Sequence, residues 1–182
     1  SGLYLANLLE KEKDFEYKLF EKRSKFNLAE GYGIQLSVNS IKMLNKIGFK
    51  HVSASDVCFP KKVNFFDSNN SKKICDIDLN QFNDDLIRYT TTKRSTLLKF
   101  LLQSIPKDKI KFNTILNNLD CGNDIKVHFS DKSLENFDFL IIADGVFSQS
   151  KLIISKENLK PKYNNSIALR GKFNKYYDNN IS

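Results

Sequence analysis

The sequence predicts a mixed α/β fold in which helix–strand alternation at the start gives way to an inserted antiparallel, β-meander-like element. Three observations carry that reading. Apolar residues fall at helical spacing in the first nine positions and again at Ile41, Leu44 and Ile47. Short β-branched and aromatic runs, broken by Asn, Asp, Ser and Gly clusters, fill the middle of the chain. A strongly apolar run, 139–143, ends abruptly at Asp144-Gly145.

Each element follows in order. Leu3, Leu5, Ala6, Leu8 and Leu9 before Glu10-Lys11-Glu12-Lys13 predict a short helix already under way at residue 2. Residues 15–21 alternate and are rich in aromatics, which predicts a strand. A polar loop ends in Gly31-Tyr32-Gly33, and 34–36 is extended. A helix over Ile41, Leu44 and Ile47 has Ser37 or Asn39 as its cap and Gly48 as its stop. Strands are expected at 57–59, 63–66 and 74–79, with a turn at 67–71. Residues 88–93 read as a strand, and Leu97, Leu98, Leu101 and Leu102 as a helix ended by Pro106. Strands follow at 110–112, 115–119, 125–129 and 137–143, with a turn at Cys121-Gly122-Asn123, and a last strand is expected at 167–173.

Composition narrows the class. Hydrophobic residues make up 41% of the 182 residues, charged residues 27%, and there are only 7 Gly and 3 Pro, which excludes collagen-like and low-complexity chains. The net charge of +8 is spread as +2 over residues 1–91 and +6 over 92–182, in single and paired lysines rather than a run. That pattern favours a solvated surface over a nucleic-acid-binding stripe, so no nucleic-acid partner is expected. Three scattered cysteines, Cys58, Cys75 and Cys121, suit a reducing, cytoplasmic compartment better than a disulfide framework or zinc site. No apolar run approaches the roughly 20 residues of a transmembrane helix. The chain opens on Ser1 and has Met43 as its only methionine, so a piece of a longer protein is expected.

The chemistry-bearing pattern begins at Gly2. A glycine opening an apolar helix, followed by a strand that ends in Glu21, matches the second half of a dinucleotide-binding βαβ unit. In such a unit the last fingerprint glycine allows close helix–strand packing, the helix N-terminus receives a pyrophosphate, and the strand-end acid accepts from ribose hydroxyls. The plainer reading, an exposed acid at a strand end, stands beside it.

Four segments in order resemble the single-component, FAD-dependent aromatic hydroxylases. They are Leu19-Phe20-Glu21-Lys22-Arg23, Gly31-Tyr32-Gly33-Ile34-Gln35-Leu36, Lys93-Arg94-Ser95-Thr96-Leu97 and the run from Phe137 through Ala143-Asp144-Gly145-Val146-Phe147-Ser148. The resemblance implies a Rossmann-like FAD-binding domain of glutathione-reductase type over 1–160, with an inserted β-rich segment at about 56–90, and the start of an antiparallel substrate domain over 161–182. It implies that the fold is truncated, lacking the first strand, the first two glycines, the later GD element and the C-terminal half. It implies roles by position: Gly2 as the last fingerprint glycine, Glu21 with Lys22 at the adenosine ribose, Tyr32 and Gly33 on the flavin side, Arg94 at the phosphate or ribityl region, Leu116 near adenine, and Asp144-Gly145 by the pyrophosphate. The implied activity is NAD(P)H- and O₂-dependent hydroxylation of an aromatic ring through a flavin hydroperoxide, with FAD as cofactor, NADH or NADPH as co-substrate and no catalytic side chain required.

Each residue keeps a plainer alternative: Arg94 as an exposed helix-start residue, Asp144-Gly145 as a simple turn, Leu116 as core. Two departures stand out. Lys151 occupies the place of the family's arginine after the DG element, which keeps a cation and loses the bidentate fork, and Lys93 stands where histidine is common. His51 and His128 are isolated, which offers little to a metal pair or a Ser–His–Asp triad. A ubiquinone-biosynthesis hydroxylase, with a quinone-precursor substrate and peripheral membrane placement, and a related flavoprotein reductase share these motifs. A basic nucleic-acid-binding module is the alternative outside enzymes.

Overall fold

The computed structural model describes residues 1–12, 14–28, 32–156 and 161–168. In chain order the elements are α1 (Gly2–Leu9), β1 (Leu19–Glu21), β2 (Gly33–Leu36), α2 (Val38–Asn45), β3 (Val57–Cys58), β4 (Lys62–Phe66), β5 (Lys73–Asp78), β6 (Thr90–Lys93), α3 (Arg94–Leu102), β7 (Ile110–Phe112), β8 (Leu116–Cys121), β9 (Ile125–Phe129), β10 (Leu134–Phe137) and α4 (Ser150–Ser155). The mixed α/β expectation holds. The chain divides into two compact units, Ser1–Asn27 with Leu101–Asn164, and Leu28–Phe100 with Asn165–Ser182.

The first unit contains a parallel pair, β1 beside β7, in the register Leu19↔Ile110, Phe20↔Lys111 and Glu21↔Phe112. A three-stranded antiparallel sheet, β10-β9-β8, joins it. Val127 and Phe129 of β9 are buried, and the Phe20 ring stacks on Phe129 at 4.4 Å and meets Phe137 edge-on at 5.9 Å. This aromatic cluster links the two sheets of the unit. Helix α1 buries Ala6 and Asn7. The Asn7 amide donates to the carbonyls of Leu3 and Leu101, 2.7 Å each, which satisfies a polar group that would otherwise be costly to bury.

The second unit contains a three-stranded antiparallel sheet, β2-β6-β3, and the β4–β5 hairpin. Ile41 and Leu44 of α2, with Ile47, Phe49 and Leu79, form its core, and Phe49 packs edge-on against Phe100 at 5.2 Å. Thr90 and Thr92 are buried on one face of β6, and their hydroxyls donate to the Arg88 and Asp56 carbonyls at 2.7 and 2.8 Å. Gly48 follows α2 at φ +98°, the left-handed stop that glycine adopts without penalty. Ser37 occupies the N-cap position of α2, but its hydroxyl makes no cap bond; it lies 3.3 Å from that of Ser40.

Several sequence expectations change. The strand expected over 15–21 shrinks to Leu19–Glu21, because only those residues have β7 as a partner. The 57–59 strand is two residues long and the 88–93 strand begins at Thr90. The strand expected at 115–119 begins at Leu116 and runs through Cys121 into the turn. The 137–143 strand is absent. The ladder is instead Leu134–Phe137 against β9, and 138–145 finds no strand partner among the described residues. Phe139 and Ile141 are accordingly 81% and 65% exposed. The β10 strand begins three residues before the expected one, and α4 arises where no element was expected. Of the 167–173 strand, Ile167 and Ala168 are not in a ladder and the remainder lies outside the described residues, as does Gly31.

Candidate functional site

In the first unit, α1 begins at Gly2 with Ser1 at its N-cap and no acidic residue in its first turn. The first N–H groups of a helix have no intrahelical acceptor, and the dipole places partial positive charge there. Directly beside them, a Cβ on Gly2 would lie 3.6 Å from the Ala143 Cβ and 4.0 Å from a Leu19 methyl. Those are ordinary van der Waals distances. The helix–strand packing alone therefore admits alanine at residue 2, and the packing reason expected for this glycine does not apply within the described residues.

The same arrangement places 142–145 next to the helix start. Ser1, Ala143, Asp144, Gly145, Ser148 and Lys151 line a cavity of about 500 Å³. Gly145 has φ +86°, a conformation that side-chain-bearing residues rarely adopt, so glycine is needed here on backbone grounds. Burial raises the Asp144 pKa, but hydrogen bonds from Ser148 and Ser150 outweigh it and hold the carboxyl below its ordinary range. The Ser150 N–H donates to Asp144 at 3.3 Å. The Lys151 N–H donates to the Ser148 hydroxyl at 3.0 Å, which starts α4 and presents Lys151 to the cavity. Lys151 and α4 are the features missed as site elements. A serine four residues before an apolar run, Ser148 ahead of 152–154, was the available signal.

Glu21 closes β1. Its Oε1 accepts from the Arg23 N–H at 3.0 Å, and its carbonyl accepts from the Thr114 N–H at 3.1 Å. The Asn113 N–H donates to the Arg23 carbonyl at 3.1 Å. These backbone bonds tie Asn113 and Thr114, which precede Leu116 at the start of β8, to the end of β1, after which comes the exposed Lys22.

In the second unit, β2 and β6 pair so that Gly33 lies opposite Lys93. The Arg94 N–H donates to the Tyr32 carbonyl at 3.1 Å. Tyr32, Gly33 and Arg94, far apart in sequence, are thus one local cluster at a strand-to-helix junction. Arg94 sits in the first turn of α3, where no acidic residue offsets its charge. Its Nη1 is buried and has no hydrogen-bond partner among the described residues.

Glu10, Tyr17 and Lys109 form a separate cluster in the first unit. Glu10 accepts from the Tyr17 hydroxyl at 2.5 Å and from the Lys109 ammonium at 2.7 Å, and Lys109 stands 4.3 Å from the Tyr17 ring centre. Burial and then Glu10 raise the Tyr17 pKa. The cluster ties the end of α1 to the turn before β7.

No protein-family profile matches the chain. The 6-hydroxynicotinate 3-monooxygenase of Bordetella bronchiseptica is 26% identical over 162 residues, covering 87% of this chain and 42% of that protein. The enzyme of the same name from Pseudomonas fluorescens is 26% identical over 178 residues, covering 94% and 45%. The chain therefore spans less than half the length of the curated relatives it matches. Among solved structures, 2,6-dihydroxypyridine-3-hydroxylase from Arthrobacter nicotinovorans superposes with a TM-score of 0.71 at 16% identity, covering 90% of this chain and 39% of that one. Klebsiella pneumoniae HpxO complexed with FAD and uric acid gives 0.68 at 19%, covering 83% and 38%. In sequence the chain is similar to monooxygenases of a hydroxylated pyridine, and its fold is the one found in FAD-dependent aromatic hydroxylases.

Proposed function

We propose that the chain is the FAD-binding part of a flavin-dependent monooxygenase that hydroxylates a hydroxylated nitrogen heteroaromatic ring. The observation that carries the proposal is Arg94. A buried guanidinium nitrogen without an acceptor among the described residues, on a cation in the first turn of a helix, is unfavourable by itself. Both unfavourable terms become favourable when an anion arrives. The residues present fit the cofactor in a second respect. Around the α1 N-terminus the cavity of about 500 Å³ adds Lys151 and the positive-φ Gly145, a combination suited to a diphosphate.

In this reading α1 N–H groups and Lys151 take the pyrophosphate, and Gly2 and Gly145 keep backbone free for close approach. Glu21, with Lys22 beside it, accepts from the ribose, and Leu116 supplies an apolar contact for adenine. Arg94 donates to the phosphate or ribityl region, Tyr32 and Gly33 flank the flavin side, and Asp144 orients Ser148 and Ser150. Bound FAD would supply the redox and oxygen-activating chemistry, with NADH or NADPH as reductant and O₂ as oxygen source. The side chains bind, orient and exclude water. The division into a cofactor domain over 1–160, of glutathione-reductase type, and a substrate domain beginning at 161 belongs to the same proposal. The pyridine-type substrate follows from the activities of both sequence relatives and a structural neighbour. Among the described residues no helix is long and apolar enough to cross a membrane.

The test is direct. The full-length protein should show flavin absorbance as purified or after adding FAD, and Glu21→Ala should weaken FAD binding. A protein that acquires no flavin spectrum at saturating FAD ends the proposal.

A further inference from the structure

Helix α1 has only eight residues, too few to hold a helix in place in water, so its position is set by what it touches. Its apolar contact at the buried Ala6 is non-directional and does not by itself fix the slide or rotation of the helix. Two polar ties supply that direction. Asn7 is 4% exposed, and the two N–H groups of its amide are both used, one on the Leu3 carbonyl of its own helix and one on the Leu101 carbonyl in the last turn of α3, at 2.7 Å each. The first bond locks the side chain against α1 and the second fastens it across. Glu10, three residues on and so on the same side of the helix, accepts from the Lys109 ammonium at 2.7 Å. Both ties end on the short segment from Leu101 to Lys109 that leads into β7. Stability alone does not call for an amide here, because a buried, fully bonded polar group contributes about as much as an apolar side chain of the same shape. What the amide adds is direction, since a hydrogen bond weakens steeply away from its line.

We propose that Asn7, seconded by the Glu10–Lys109 pair, is a positioning residue that holds the α1 N-terminus where a diphosphate meets it; the inference rests on the cofactor reading above. Asn7 does not line the cavity at the helix start, so it acts on a ligand only through the helix. Five residues separate it from Gly2, about 7.5 Å along the axis, and a helix passes a slide or turn at one end directly to the other. N–H···O bonds occupy a window of roughly 2.7–3.2 Å, so a shift of about 1 Å takes the first-turn N–H groups out of reach of a phosphate oxygen. The opposite wall of the cavity is set locally, by the Ser150 N–H on Asp144 and the Lys151 N–H on the Ser148 hydroxyl. The α1 wall has no such local turn and takes its place from Asn7 and Glu10.

The experiment uses Asn7→Leu in the full-length protein, which keeps the volume and removes both donors. Before any cofactor is added, amide hydrogen exchange over residues 1–9 should quicken while that of the β8–β10 sheet stays the same. The far-UV spectrum should match the wild type. The Kd for FAD should rise about tenfold, the size of one lost charge-assisted hydrogen bond, and ADP, which carries the diphosphate without the flavin, should lose the same factor as a competitor. A merely structural role would lower the urea midpoint and leave both affinities of the folded protein where they were. Lys109→Met breaks the second tie at a part-exposed position and decides the matter if Asn7→Leu does not fold; it should raise both Kd values about fivefold, and Lys109→Arg, which keeps the ion pair, should restore them. A wild type that binds FAD beside folded variants with FAD affinity within twofold overturns this inference alone. So does unchanged exchange over residues 1–9, or a loss for FAD that ADP does not share. A wild type that acquires no flavin at saturating FAD ends the cofactor reading and takes this inference with it.

Discussion

Replacing Arg94 by methionine tests the cofactor reading with two readouts of opposite sign. Methionine keeps an unbranched apolar stem and removes the guanidinium. In the cofactor-free protein the buried Nη1 has no acceptor among the described residues, and leaving such a group unpaired costs about 1–3 kcal/mol. The cation also opposes the positive end of α3, where no acidic residue lies in the first turn. Some of the methionine variant's gain is offset by lost packing of the arginine stem. The apo protein should therefore be as stable as before or more so, by up to about 1 kcal/mol, in urea unfolding. FAD affinity should move the other way. A charge-assisted hydrogen bond is worth about 1.5–3 kcal/mol, so the Kd measured by flavin fluorescence in the full-length protein should rise roughly 10- to 150-fold. Arg94→Lys, which keeps charge and loses the fork, should be intermediate. An apo protein destabilised by more than about 1 kcal/mol, with FAD affinity within twofold, would show that Arg94 is a structural residue.

Gly2→Ala should leave apo stability unchanged within about 0.5 kcal/mol, because the added methyl meets Ala143 at an ordinary 3.6 Å, and should weaken FAD binding by blocking the helix start; thermal unfolding beside a flavin titration separates the two effects. Gly145→Ala should lower stability by about 1 kcal/mol, since φ +86° strains any side-chain-bearing residue, and an unchanged melting temperature would mean that this turn relaxes. Asp131 is held down to about 2 by the hydroxyl and N–H of Ser133 and by the Lys111 ammonium. Its folded value lies below the unfolded one, so it stabilises above the ordinary carboxyl range and loses that contribution as pH falls from about 4 toward 2. Asp131→Asn should flatten that acid limb of the melting-temperature profile, and an identical slope would exclude it.

Local signals in the sequence determined much of this protein. The helix at Gly2–Leu9, the helix around Ile41 and Leu44, the Gly48 stop and the hairpin turn at 67–71 follow from period, cap and turn chemistry that act within a few residues. The order of the motif segments was likewise visible, because each is contiguous. Tertiary structure alone decided the rest. Strand extent is set by a partner, so 15–18 stays out of a ladder, 139–143 has none among the described residues despite its composition, and Leu134–Phe137 becomes a strand by pairing with β9. Site geometry is equally non-local. Arg94 meets Tyr32 only through the β2–β6 ladder, and Ala143 meets Gly2 only through the packing of α1. The physical reason is the same in each case. A hydrogen-bonded ladder, an unpartnered guanidinium and a cavity are properties of residues distant in sequence, and only folding brings their energies into play.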